Sequence, residues 1–291
     1  MVFRPNEYLR PTSIEETVAL MERYGEAAVL IAGSITVNEL AKRGLLSGVE
    51  KVVDIERVGL SWIRIEPSEI RIGAATTYTD ILRTEAFESP ELMSIHEAVR
   101  SIHPDQVRNI GTVGGAICSG FPFLDLLIGL LPHDVELAVV GPGGERRIGL
   151  DRFALAGLDE RLDRGEVLKE LRVPRARAGK GSAFVKYGQT GLDLAVLNCG
   201  VALQVDGTGV IGTARAFAGG KGVDITAPPR CPAALVGRLL SEAALDAACA
   251  VLATALPAAS DPRGSAAFKR YTIKRLLREA LRTAHGRAVA P

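Results

Sequence analysis

Two glycine-bearing turns, LIAGSITV at residues 30–37 and IGTVGGAICSG at 110–120, constrain the fold of this 291-residue chain most strongly. Glycines inside such apolar segments indicate a tight backbone turn or the close approach of another group. The first turn follows a buried strand and enters a helix near Thr36, where unpaired N–H groups favour an anion. Two such turns suit a long anionic ligand, although spacing alone favours two ordinary turns.

The remaining pattern predicts an α+β chain. A helix begins after Ser13, which forms a capping box with Glu16. Short strands follow, and a hairpin is expected around Gly141–Gly144. The basic, glycine-containing run RARAGKG at 175–181 predicts a domain boundary. Beyond it we expect a three-stranded antiparallel meander, then the helices CPAALVGRLL, SEAALDAACAVLATAL and SAAFKRYTIKRLLREALRTA.

Composition and motifs exclude several classes of protein. The formal net charge of +1 gives no sign of a nucleic-acid partner or an anionic membrane. The longest apolar stretch is interrupted by Pro132, His133 and Asp134, so no membrane span is expected, and without a visible signal peptide the default location is cytoplasmic. Widely separated cysteines and histidines predict no metal site, and no nucleophile motif identifies a catalytic side chain.

Five segments, in order, resemble one family over nearly the whole chain. They are FRPNEYLRPTSIEETVALM, LIAGSITV, IGAATTYTDI, QVRNIGTVGGAICSGFPFLDL, and the C-terminal group formed by FVKYGQTGLDLAVLNCGVAL, ARAFAGG and SAAFKRYTIKRLLREAL. Together they are similar to the flavin-binding medium subunit of the xanthine dehydrogenase and carbon monoxide dehydrogenase group of molybdenum hydroxylases. The resemblance implies a PCMH-type FAD-binding fold, with two α/β subdomains that clamp FAD. Its implied divisions are an FAD-binding domain at 1–176, with subdomains at about 1–57 and 58–176, and a C-terminal α+β domain at 177–291.

The resemblance also implies the residues that hold FAD. The two turns would wrap the diphosphate and flavin with backbone donors, and Asp125 would hydrogen-bond the adenosine end at a ribose hydroxyl. Leu168 and Lys186 match positions that line the cofactor, and Ile102 is a further candidate for packing against it. The complete implied set is Leu30, Ile31, Ala32, Gly33, Ser34, Ile35, Thr36, Val37, Ile102, Gly111, Thr112, Val113, Gly114, Gly115, Ser119, Asp125, Leu168 and Lys186.

Three of these residues could instead have purely structural roles. Asp125 could be the N-cap of a helix that starts at Leu126, Lys186 a solvated strand residue, and Leu168 a core residue.

The sequence also departs from the family pattern. Ser34 replaces the usual second glycine of the first turn, Ile35 replaces a polar residue, and Ala116 replaces an asparagine. Gln189 stands where the family commonly has an arginine, near the start of the C-terminal domain. Backbone donors survive these changes, whereas some side-chain hydrogen bonds do not. A few such losses would weaken FAD binding roughly tenfold to a few hundredfold.

The resemblance implies an oxidoreductase subunit that transfers electrons. A large subunit with molybdopterin would oxidise the substrate, and a small subunit with two [2Fe-2S] clusters would pass the electrons to FAD on this chain. FAD would deliver them to NAD, a quinone, oxygen or another acceptor. The expected assembly is a dimer of heterotrimers.

Two other functions remain open. The departures from the family pattern suit a structural or assembly subunit that has lost the flavin. A free-standing FAD oxidoreductase is less well supported, because no general acid or base is evident.

The last helix region contains a basic cluster, which is interpreted either as a solvated face or as a surface for a partner subunit. Its members are Lys269, Arg270, Lys274, Arg275, Arg278, Arg282 and Arg287, against the single Glu279.

Overall fold

The computed structural model describes residues 3–156, 161–175, 178–227 and 230–290. The chain divides into two compact units, each assembled from separate segments. The first unit contains Met1–Asp80, Asp105–Gly120 and Val135–Val173, and the second contains Ile81–Pro104, Phe121–Asp134 and Pro174–Pro291. The expected domain boundary falls partly on residues 176–177, which lie outside the described residues. The linear divisions near residues 57 and 176 therefore stay predictions.

A parallel sheet with two helices forms the beginning of the first unit. Its strands are β1 (Glu7–Leu9), β2 (Ala28–Ile31) and β3 (Lys51–Asp54), in the order β1-β3-β2. Helix α1 (Ile14–Tyr24) begins where the capping box predicts, because the Ser13 side chain accepts a hydrogen bond from Glu16 N at 3.1 Å. Helix α2 (Ile35–Lys42) follows β2 after a three-residue turn.

A five-stranded sheet forms the rest of the first unit's framework. Its strands are β4 (Ile63–Ile65), β5 (Glu69–Gly73), β6 (Glu136–Gly141), β7 (Gly144–Gly149) and β8 (Val167–Pro174), in the order β4-β5-β8-β6-β7. The predicted hairpin β6-β7 is antiparallel, and β4 also pairs with β5 in the antiparallel direction. The helices of this part of the chain are α3 (Tyr78–Leu82), α5 (Asp105–Ile110), α6 (Val113–Ser119) and α8 (Leu150–Leu155).

The second unit is built on an antiparallel sheet. Its strands are β9 (Lys180–Tyr187), β10 (Leu197–Val205), β11 (Ile211–Gly220) and β12 (Val223–Thr226), in the order β12-β11-β10-β9. The first three form the predicted meander. The fourth strand was not predicted, because four residues after a glycine-containing turn are too few to show a clear alternating pattern.

Helices cover both faces of this second sheet. They are α4 (Met93–Arg100), α7 (Asp125–Leu130), α9 (Arg230–Ala233), α10 (Glu242–Ala255) and α11 (Ala266–Val289). Cys199, Val201 and Leu203 of β10 share a buried core with α10 and α11. On the other face, a Cβ atom at Gly200 would lie 2.1 Å from Ile128 O of α7, so glycine permits this close packing.

The helix predicted at 231–240 was wrong beyond its first turn. Helix α9 ends at Ala233, because Gly237 N donates to Ile211 O and Ile211 N donates to Arg238 O. This backbone therefore bonds to a neighbouring strand instead of continuing the helix. In the part of the chain that the structure describes, no helix combines the length and the apolar character needed to cross a membrane.

Candidate functional site

The first glycine turn connects β2 to α2 within the first unit. Leu30 and Ile31 end the strand, and the turn continues through Ser34 into the helix that begins at Ile35. Ser34 has φ 60°, a left-handed backbone conformation that favours glycine. Asn38 N donates to Ser34 O at 2.9 Å and forms the first hydrogen bond of the helix. The N–H groups that precede Asn38 in this turn therefore have no acceptor within the helix.

Five consecutive backbone N–H groups in this turn have no hydrogen-bond acceptor. Within the described residues, no hydrogen bond is made by the N–H groups of residues 33–37. These residues are only partly exposed to solvent. Unpaired N–H groups that converge at a helix N-terminus favour anion binding, because both the donors and the helix dipole stabilise negative charge. The first turn therefore fits a diphosphate group.

The second glycine turn is different, because four of the five backbone donors at residues 111–115 are already used. It precedes and starts α6, whose N-cap is Thr112. The bonds run from Gly111 N to Val107 O at 2.7 Å, from Val113 N to Thr76 O at 2.9 Å, from Gly114 N to Ala74 O at 2.8 Å, and from Gly115 N to Thr112 Oγ1 at 3.2 Å. The expectation that both turns supply phosphate donors stays a prediction. The first turn has five unpaired donors for this role, whereas at residues 111–115 only the N–H group of Thr112 makes no hydrogen bond with the described residues.

The two turns contact each other directly. A Cβ atom at Gly33 would lie 1.7 Å from Ile110 O and 3.3 Å from Gly111 Cα. Any larger residue at position 33 must displace the second turn, because a real Cβ atom cannot approach backbone that closely. The resemblance paired these turns across some eighty residues, and the structure brings them together within one unit.

Gly114 and Gly115 are glycines for different reasons. A Cβ atom at Gly114 would lie 2.7 Å from Ala74 O, so packing within the unit requires glycine there. A Cβ atom at Gly115 would meet only Thr112 Oγ1, at 3.0 Å, and the residue is exposed. The fold itself leaves space at Gly115, which fits a surface that a cofactor approaches closely.

The departures from the family pattern leave the backbone site intact. Ser34 adopts the conformation that a glycine would adopt with less strain. Ala116 is 2 % exposed, so its methyl group packs inside the unit. Ile35 is the first residue of α2, and its N–H group is one of the unpaired donors.

Two other predicted site residues, Ser119 and Leu168, belong to the first unit. Ser119 ends α6, and its hydroxyl donates to Ala116 O at 3.0 Å. Leu168 lies in β8 and is 4 % exposed. This burial agrees with the interpretation of Leu168 as a core residue, and its role in lining a cofactor stays a prediction.

Asp125, Lys186 and Ile102 belong to the second unit. Asp125 is the first residue of α7 and is 4 % exposed, and Leu124 is the N-cap, so the capping interpretation of Asp125 was wrong. Lys186 was not a solvated strand residue either, because its ammonium donates to Asp125 Oδ2 at 2.7 Å and its side chain is 13 % exposed. Ile102 follows α4 and is partly buried.

Asp125 accepts two further hydrogen bonds that the sequence did not indicate. Asn198 Nδ2 donates to Oδ1 at 3.0 Å, and Ser101 Oγ donates to Oδ2 at 3.3 Å. Burial raises the pKa of Asp125, while Lys186, Asn198 and Ser101 lower it by stabilising the carboxylate. The hydrogen bond between Asn198 and Asp125 joins segments that are distant in sequence, so no local motif could have identified Asn198.

The basic cluster of α11 is largely neutralised within the second unit, which corrects its interpretation as one solvated face. Lys269 is fully buried, and its ammonium donates to Lys221 O, Ala259 O and Asp261 Oδ2 at 2.9 to 3.0 Å. The other internal ion pairs join Arg278 to Glu242 and Asp246, Arg282 to Glu242, and Arg287 to Glu97. Arg270, Lys274 and Arg275 make no ion pair with the described residues.

Among the described residues, no group of three or more His, Cys, Asp or Glu side chains is arranged to hold a metal ion. Cys118, Cys199, Cys231 and Cys249 are free thiols. Burial raises the pKa of Cys231 to about 12, with a further contribution from Cys249. Such thiols stay protonated at neutral pH and are poor metal ligands.

Comparison with known families assigns both parts of the chain. Residues 2–176 match the family described as the FAD binding domain in molybdopterin dehydrogenase. Residues 182–284 match the CO dehydrogenase flavoprotein C-terminal domain.

Individual relatives match over 70% to 97% of the chain. The chain is 30% identical to the carbon monoxide dehydrogenase medium chain of Hydrogenophaga pseudoflava, over 97% of both chains. It is 29% identical to the nicotinate dehydrogenase FAD-subunit of Eubacterium barkeri, over 70% of both. A solved structure of the Hydrogenophaga pseudoflava carbon monoxide dehydrogenase superposes with a TM-score of 0.92 over 99% of both chains, at 30% identity. The chain therefore belongs to the FAD-binding flavoprotein subunits of the molybdopterin dehydrogenase family, as the sequence resemblance predicted.

Proposed function

We propose that this chain is the electron-transfer flavoprotein of a multi-subunit molybdenum hydroxylase. It would receive electrons from the [2Fe-2S] clusters of a small subunit and deliver them through FAD to an external acceptor. A large subunit with molybdopterin would oxidise the substrate, in a dimer of heterotrimers located in the cytoplasm. The multi-subunit nature of the relatives, named as medium chains and FAD-subunits, supports this assignment.

The observation that carries the proposal is the run of unpaired N–H groups at residues 33–37, beside the second glycine turn. These donors would hold the diphosphate of FAD without any side chain between backbone and phosphate. The exposed backbone at Gly115 would allow close approach of the cofactor. When bound, FAD supplies the one-electron and two-electron redox chemistry, and the protein supplies position and electrostatic environment.

The alternatives are less well supported. A flavin-free scaffold would leave the five N–H groups of residues 33–37 to water, and it would not explain why two glycine turns lie beside each other at this point. A free-standing FAD oxidoreductase would need a general acid or base. In the two glycine turns, the side chains are apolar or carry only a hydroxyl or thiol group, neither of which is a typical general base at neutral pH.

The test is ligand binding to the purified chain. Apoprotein is titrated with FAD, FMN and riboflavin, and flavin fluorescence and the absorption band at about 450 nm are recorded. We expect FAD to bind at least about 100-fold more tightly than riboflavin, because charge-assisted hydrogen bonds to the diphosphate are lost in riboflavin. Equal affinity for both would contradict the assignment of the first turn. A chain that binds none of the three would favour the scaffold function.

A further inference from the structure

Helix α11 carries two groups of cations that differ in what α10 places beside them. In the second half of α11, Arg278 pairs with Glu242 and Asp246 at the start of α10. Arg282 pairs with Glu242 as well. The end of α10 lies beside the first half of α11, and residues 247–255 contain no charged side chain. Helix α10 therefore neutralises only the second half of α11.

An open groove of about 460 Å³ separates the end of α10 from the first half of α11. Ala253 at its base is 4 % exposed, whereas the side chains of Arg270, Tyr271 and Lys274 are exposed. We call this feature the α10–α11 groove, and it lies entirely within the second unit. Its lining residues are Ala253, Thr254, Ala267, Arg270, Tyr271 and Lys274.

The cations of the groove do not stabilise the helix that carries them. Arg270 and Lys274 are four residues apart, so their like charges lie on neighbouring turns of one helix face and repel each other. Arg270, Lys274 and the adjacent Arg275 make no ion pair with the described residues. The first turn of α11 also has no acidic residue, although a helix N-terminus favours negative charge. Helix stability alone therefore does not explain this group of cations.

The tyrosine of the groove indicates the kind of partner. Tyr271 lies among the cations and is 76 % exposed. Tyrosine and arginine are enriched at protein interfaces, where they contribute much of the binding energy. Small-molecule sites are usually concave clefts that bury most of the ligand, whereas the cations and the tyrosine of this groove stand open to solvent. The groove therefore fits a protein surface better than a small molecule.

We propose that the α10–α11 groove docks an acidic segment of another subunit of the complex. Two carboxylates one helical turn apart on that subunit would pair with Arg270 and Lys274. Glu242 and Asp246, which neutralise the second half of α11, have this same spacing. Tyr271 would pack against the apolar part of the docked segment. This inference rests on the proposed function, which requires partner subunits.

Lys274→Glu separates a docking surface from a solvated face. The new carboxylate would lie one turn from Arg270 and replace repulsion by attraction, so the isolated chain should unfold about 1 °C higher than the wild type. Assembly with the co-expressed large and small subunits should weaken about 30-fold to 100-fold, because an acidic partner is repelled. Sedimentation velocity over a range of concentrations measures the dissociation constant. A variant that assembles like the wild type would overturn the proposal.

A matched control tests whether position or net charge matters. Arg238 is an exposed cation of the second unit outside the groove, and it makes no ion pair with the described residues. Arg238→Glu changes the net charge by the same amount and should leave assembly unchanged. If Arg238→Glu weakens assembly as much as Lys274→Glu, the groove has no special role.

The aromatic contact gives a readout that does not change the charge. Tyr271→Ala should weaken assembly about 10-fold while the unfolding temperature of the isolated chain stays the same, because the side chain packs against little else in this chain. Wild-type assembly should also weaken as salt is raised, and less steeply in Lys274→Met. Salt dependence that is identical in Lys274→Met would contradict ion pairing at the groove.

Other occupants of the groove give different results. A second copy of this chain would appear as a dimer in light scattering of the isolated protein, and Lys274→Glu would dissociate it. A nucleotide would be detected with ATP, which would raise the unfolding temperature of the wild type but not of Lys274→Glu. Either result would overturn the proposal. A wild-type chain that co-purifies with neither the large nor the small subunit would instead disprove the proposed function, so the two failures are distinguishable.

Discussion

The two glycine turns of the first unit look alike in sequence, but they differ in how many of their backbone N–H groups are free to bind a ligand. The first turn, residues 33–37, has five N–H groups without acceptors, whereas the N–H groups of Gly111, Val113, Gly114 and Gly115 in the second are bonded within the protein. Glycine serves close packing at Gly33 and Gly114, and it leaves an open surface at Gly115. A glycine-rich segment is thus an anion site only when its donors are unpaired.

The largest expected effect comes from separating the turns. Gly33→Ala would place Cβ 1.7 Å from Ile110 O. We expect the free energy of unfolding to fall by about 3 kcal/mol, near the upper end for overpacking, and FAD binding to be lost. Urea unfolding of the apoprotein and flavin content measure the two effects.

Gly143→Ala is the matched control, because a Cβ atom there meets nothing within 4 Å. It should unfold like the wild type. If Gly33→Ala also unfolds like the wild type, the contact between the turns does not hold them together.

A smaller effect should distinguish two adjacent glycines. Gly115→Leu should change apoprotein stability little, because the helix propensity of leucine offsets the tight 3.0 Å contact of its Cβ atom with Thr112 Oγ1, while FAD affinity falls about 10-fold to 100-fold. Gly114→Ala should instead destabilise the apoprotein, since its Cβ atom would lie 2.7 Å from Ala74 O. Isothermal titration and thermal unfolding measure both properties. Normal FAD affinity in Gly115→Leu would place the cofactor elsewhere.

The smallest effect concerns the strain in the first turn. Ser34 has φ 60°, so Ser34→Gly should raise the free energy of unfolding by about 0.5–1 kcal/mol with FAD binding retained. The same substitution at Ser119, the last residue of α6, should lower it by up to a similar amount, because glycine weakens a helix. Equal responses at both positions would show that the strain at Ser34 is not released by glycine.

Local signals predicted the local parts of this fold. The capping box at Ser13 and Glu16 specified the start of α1, because both hydrogen-bonding partners lie within one turn of helix. The end of α9 depended instead on a bond between Gly237 and Ile211, which no local pattern reveals.

For the candidate site, too, the sequence indicated the local features but not the contacts between distant segments. The resemblance identified both glycine turns, Asp125 and Lys186, but it could not show which N–H groups are already bonded. That information depends on Ala74, Thr76 and Val107, which contact the second turn only after folding. The burial of Lys269 was also hidden, because its acceptors include the backbone of Lys221 and Ala259.

The composition of the second unit has a practical consequence for protein engineering. Helices α4 and α7 precede the predicted boundary near residue 176, yet they belong to the same compact unit as the C-terminal sheet. Ser94 N of α4 donates to Ser182 Oγ at 2.9 Å, and Gly200 is fitted to the backbone of α7. A fragment starting at residue 177 would leave that face of the sheet uncovered and prone to aggregation. Chimeras between relatives should therefore exchange these helices together with the C-terminal sheet.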